Sequence, residues 1–131
     1  MTPEDKDLLL QDLCARLPYG VIVNVNGFDY DYNDKLTQIY KGVGCSIQVT
    51  TNMPYDIEQV KPYLFPLSSM TEEQCDELYN ISELKLSFTP DRKINVYKET
   101  VEWFLKNHID FNGLIPKGLA IDCTNLNIYL V

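Results

Sequence analysis

Apolar positions change period several times along this chain, and each change marks an element. Leu9, Leu10, Leu13, Cys14 and Leu17 recur at helical spacing and so share one face of a helix. Asp12 and Arg16 stand four apart on the other face, close enough to pair. Thr2 supplies an N-cap, Pro3 a favoured first-turn residue and Asp5 a carboxylate near the positive helix end. Pro18 ends the helix, and its narrow apolar face predicts packing on a sheet.

The period then drops to two. Val21-Ile22-Val23-Asn24-Val25 is rich in β-branched residues and bounded by Gly20 and Asn26-Gly27, which predicts a buried strand. An acidic, aromatic connection runs from Phe28 to Asp34, and strand character resumes from Lys35 to Lys41. Cys45, Ile47 and Val49 then alternate with Ser46, Gln48 and Thr50. Three strands in succession predict an antiparallel meander.

No period survives from Thr51 to Met70, where Pro54, Pro62 and Pro66 punctuate a stretch of about twenty residues, a long loop for a compact domain. One helical turn fits at Ile57 to Lys61. Thr71-Glu72-Glu73-Gln74 is a capping box that opens a short helix to about Asn80, with Cys75, Leu78 and Tyr79 on its apolar side. Leu84, Leu86 and Phe88 predict a fourth strand, and Pro90-Asp91-Arg92 a turn. A second long helix starts near Asn95, with Tyr97, Val101, Phe104, Leu105 and His108 on one face. Asn107 to Gly113 closes it, Leu114 to Gly118 reads as a compact turn, and Leu126 to Val131 as a last strand or packed terminus. The predicted fold is α+β, a single domain over residues 1–131. Its small, mainly antiparallel sheet of about four strands is packed by two amphipathic helices plus a shorter third.

Composition narrows the functional classes. At 131 residues the chain can bury roughly two thirds of its unfolded surface. A 45% hydrophobic and 23% charged content is globular in balance. The first residues are acidic where a secretory signal is basic, and no apolar run approaches the ~18 residues of a membrane span, so a cytoplasmic protein without membrane contact is expected. Cys14, Cys45, Cys75 and Cys123 lie 30 or more residues apart with no CxxC pair, which predicts buried, reduced thiols and no zinc site. A net charge of −8 disfavours direct nucleic-acid binding. The acidity suits a protein partner, and Glu72, Glu73, Asp76 and Glu77 would present a DNA-like charge ladder, set against the plainer reading of a solvated helix face.

Candidate chemistry is sparse. Asp29, Asp31 and Asn33 match the first ligand positions of a calcium loop, but Asp34 and Tyr40 stand where glycine and a bidentate glutamate belong. Neither a metal nor a cofactor is expected. His108 is the only histidine, and Asp110 is near enough in sequence to orient it, competing with a packed structural histidine. No phosphate-binding, serine-hydrolase or zinc-protease motif is present, which leans away from an enzyme. Nine tyrosines remain, and tyrosine suits contact surfaces. Tyr55, Tyr63, Leu64 and Phe65 lie in the proline-braced 51–70 segment and form the candidate binding surface. The competing reading folds them back as a lid on the sheet.

KPYLFPLSSMTEEQ from Lys61, WFLKNHIDFNGLIPKGLAID from Trp103 and LCARLPYGVIVNV from Leu13 resemble a family of short uncharacterised proteins of gut Bacteroidetes and their phages and integrated elements. The resemblance implies an accessory protein that binds a host or phage protein, and it carries no catalytic residue. The expected function is therefore a non-enzymatic interaction protein using the 51–70 loop. Two alternatives are a small-molecule-binding or enzymatic domain with a pocket near His108, Asp110 and Tyr63, and an acidic DNA mimic.

Overall fold

A computed structural model describes residues 2–26, 31–42, 44–49, 54–83 and 90–129. The predicted opening helix, α1, spans Pro3–Arg16, and Thr2 Oγ1 accepts the Asp5 amide at 3.1 Å. That bond satisfies one of the amides a helix start leaves unpaired. Leu9 and Leu13 are fully buried against the sheet. Contrary to the outer-face reading, Asp12 and Arg16 are buried as well. Cys14 is exposed and so is Cys75, whereas Cys123 is buried as expected.

The predicted meander is present. Strands β1 (Ile22–Asn26), β2 (Asp31–Gly42), β3 (Gly44–Val49) and β4 (Pro54–Asp56) run antiparallel in that spatial order. A register shift between Leu36 and Gln38 interrupts the β2–β3 pairing. Strand β2 starts earlier than expected and takes up Asp31 and Asn33. An extended chain rises roughly 3.3 Å per residue and does not curl its side chains around one ion, so the calcium-loop geometry is not formed there. Asp29 lies outside the described residues. Asn33 Oδ1 instead accepts from Asn24 Nδ2 at 3.0 Å and from the Tyr63 hydroxyl at 2.6 Å.

The largest correction concerns residues 51–70. After β4 and a 3-10 turn at Ile57–Gln59, the chain forms β5 (Val60–Pro66), an inner strand of the sheet. It pairs antiparallel with β1, with Val23 opposite Pro62. On its other side it meets two short parallel strands, β6 (Ile109–Asp110) and β7 (Ile121–Asp122). The sheet is therefore mixed. A strand covered on both faces reads as a nearly continuous apolar run, and the prolines further disguise it as a loop.

Helix α2 (Glu72–Glu83) starts at the predicted capping box, where Gln74 N reaches Thr71 Oγ1 at 3.1 Å and Thr71 N reaches Gln74 Oε1 at 3.0 Å. Helix α3 (Pro90–Lys106) begins five residues before the expected Asn95, because a proline that reads as a turn is also favoured in a first helical turn. The strand expected at Leu84 to Phe88 lies outside the described residues. Leu9 and Leu13 of α1, the valines of β1, Leu36, Val60 and Leu64 form one core with Leu114, Leu119 and Ala120. This is a single small α+β domain, and among the described residues no helix is long and apolar enough to cross a membrane.

Candidate functional site

The C-terminal end of α3 is where polar and aromatic side chains gather. Asn107 closes the helix by bonding Trp103 O through its backbone at 3.1 Å and its side chain at 2.9 Å. His108 follows with φ 58°, a left-handed conformation that histidine tolerates better than most side chains. It therefore lies beyond the helix and not on its apolar face. Its amide bonds Leu105 O, and its carbonyl accepts the Phe65 amide at 2.8 Å, which hands the chain over to β6.

The His108 ring stacks flat on Tyr129, with centroids 3.7 Å apart and planes at 7°. Burial, reinforced by the Arg16 charge, pushes its pKa down to about 4, so the imidazole is neutral near neutral pH. The Tyr129 hydroxyl accepts the Ile22 amide at 2.9 Å and donates to Tyr63 O at 2.7 Å. Burial holds its own pKa well above the usual phenol range. Of the terminal segment expected to pack, Tyr129 is thus fixed on the fold, and residues 130–131 lie outside the described residues.

Asp110 is buried, and its oxygens accept the amides of Leu114 and Ile115, each at 2.9 Å. Both oxygens brace the turn that follows β6, and among the described residues no hydrogen bond joins Asp110 to His108. The catalytic-type pair is not assembled. Cys123 is buried, and its thiol is pushed up to about 11 by burial and the nearby Asp122 charge, which leaves it protonated and a poor nucleophile.

Asp12 and Arg16, absent from the sequence-derived candidates, form the polar centre of the domain. Arg16 Nε donates to Asp12 Oδ2 at 2.6 Å and Nη2 to Ile109 O at 2.7 Å. Asn112 Nδ2 donates to Asp12 Oδ1 at 2.9 Å, and the guanidinium lies 5.5 Å from the Phe111 ring centroid. The sequence signal was the i,i+4 spacing, but nothing local says that such a pair will be covered.

Just outside this cluster lies an open groove of about 560 Å³, between Pro66, Leu67 and Ser68 on one wall and Asp110 to Gly113 with Ile115 and Pro116 on the other. Its lining is mostly apolar, and Leu67 is half-exposed. Of the residues expected to line a pocket, Asp110 lines this groove and His108 and Tyr63 do not.

The aromatic candidates are also placed differently. Tyr63 is 6% exposed, Tyr55 8% and Leu64 0%. The Tyr55 hydroxyl accepts from that of Tyr32 at 2.5 Å, and Phe65 is half-buried near Tyr129. As folded, Tyr55, Tyr63 and Leu64 are covered and brace the sheet, and Phe65 is covered in part. Glu72, Glu73, Asp76 and Glu77 are exposed on α2, where Tyr79 is also 59% exposed. Compared with family models, curated proteins and solved structures, the chain finds no match in any of the three.

Proposed function

We propose that this chain is a non-enzymatic interaction protein of the cytoplasm, an accessory protein of the phage or mobile-element kind that its sequence resembles, and that it grips a partner protein through the groove beside Leu67. The observation that carries this reading is the open, largely apolar groove with a half-exposed leucine at its rim. Exposed apolar surface next to a rigid strand end offers contact area at little ordering cost. Pro66 and Pro116 stiffen its two walls. The net charge of −8 favours a partner whose apolar anchor is flanked by basic residues, since opposite charge speeds encounter.

The chemistry around His108 supports binding over catalysis. Its imidazole is stacked and neutral, the Asp110 oxygens are committed to backbone amides, and the Cys123 thiol is held protonated. Capture with tagged protein tests the proposal. Leu67→Glu, at an exposed position, should leave the domain folded and lower partner affinity by at least about tenfold, the effect of losing a contact anchor. Equal capture by the folded variant would contradict it.

A further inference from the structure

The β1–β5 ladder stops at the Val23–Pro62 pair. One step further in that register, the Ile22 amide and the Tyr63 carbonyl are not bonded to each other. The Tyr129 hydroxyl stands between them, accepting at 2.9 Å and donating at 2.7 Å. Its ring lies against His108 at 3.7 Å. A side chain from the segment after β7 thus closes the sheet at the point where two core strands part. From this geometry we infer that Tyr129 is an acid-released latch: protonation of His108 unseats the ring, frees the segment after β7 and opens the end of the β1–β5 pairing.

The charged and titratable groups around the imidazole and the Tyr129 ring favour that direction. Arg16 of α1 is a fixed cation that opposes a second positive charge, and burial does the same. Cys123 and Tyr129, from the segment that forms the latch, are held neutral by burial. An imidazolium gains something from the tyrosine face, but the net balance still disfavours it, since the latched pKa is about 4 against an ordinary 6.5. Leaving the seat re-solvates His108. Each pH unit between those values then raises the open-to-closed ratio by up to about tenfold, because the open state binds the proton first.

His108 is the only histidine in the chain, so its imidazole resonance can be followed without ambiguity. In Tyr129→Ala the His108 pKa should rise by more than about one unit, whereas Tyr129→Phe, which keeps the stack and loses the hydroxyl bridge, should leave it near the wild-type value. An unchanged pKa in Tyr129→Ala would overturn the coupling. Wild-type protein supplies the second test through hydrogen exchange, corrected for intrinsic rates. The Ile22 amide should lose protection progressively below pH 6.5, while the Leu36 amide, bonded to Val21 O, keeps its own. Protection of Ile22 that does not vary with pH, or loss at Ile22 and Leu36 together, would rule the latch out.

Discussion

Arg16 is a fully buried cation that links separate parts of the chain. It bonds Asp12 one turn back in α1 and ties that helix to the backbone of β6 and to the Phe111 face, with its own side chain fully buried. Arg16→Met alone would strand the Asp12 carboxylate, at a cost of about 3–5 kcal/mol. Asp12→Leu with Arg16→Met should recover most of that loss, because apolar replacement of a whole buried pair is often neutral. Urea denaturation of the single and double variants measures both. His108 adds a pH dependence of known sign. Its folded pKa, about 4, lies below the ordinary 6.5, so only the unfolded chain binds the proton between those values. Stability is then full above pH 6.5 and declines as pH falls toward 4. His108→Asn, which tolerates the left-handed backbone, should flatten that part of the profile in denaturant midpoints taken across the range.

Among the elements, β5 is the decisive one. It joins the antiparallel meander to the parallel strands β6 and β7, and it delivers Pro66 and Leu67 to the groove wall. Leu64→Ala should therefore destabilise the domain by about 2–5 kcal/mol, the cost of a buried leucine cavity. Leu67→Glu, one strand end away, should change thermal stability little. Calorimetry on the two variants separates core from surface in the same short segment. The contrast also explains what could be read from residues alone. Helix α1 and the β1–β3 meander were legible because a cap, an i,i+4 stripe or an alternation is a local signal. Strand β5 was not, because Val60, Tyr63 and Leu64 are buried on both faces and the prolines imitate a loop. The two-residue strands β6 and β7 are too short to show any period.

At the scale of the whole molecule, distant segments create features that no stretch of sequence contains. The groove joins residues 66–68 to residues 110–116, and the buried ion pair needs Asn112 and Ile109 to close it. Tyr129 reaches back across 107 positions to the Ile22 amide. Such sites arise only once the chain has folded, which is why Tyr63 and Leu64 read as a contact surface and Leu67 did not. The acidic surface predicts a further property. If the partner has basic flanks, the on-rate should fall as salt rises past the range where the Debye length is about 10 Å, while apolar contact at Leu67 should set the off-rate. Surface plasmon resonance with the captured partner, from low to physiological salt, would show both.

The most direct test of the central claim is the affinity of that partner for three folded proteins: wild type, Leu67→Glu, and the α2 charge-reversal variant Glu73→Lys with Glu77→Lys. The groove account predicts that Leu67→Glu weakens binding at least about tenfold, with a smaller, salt-dependent loss in the α2 variant. Full binding by Leu67→Glu, with the loss confined to the α2 variant, would contradict it and assign the contact to the acidic helix.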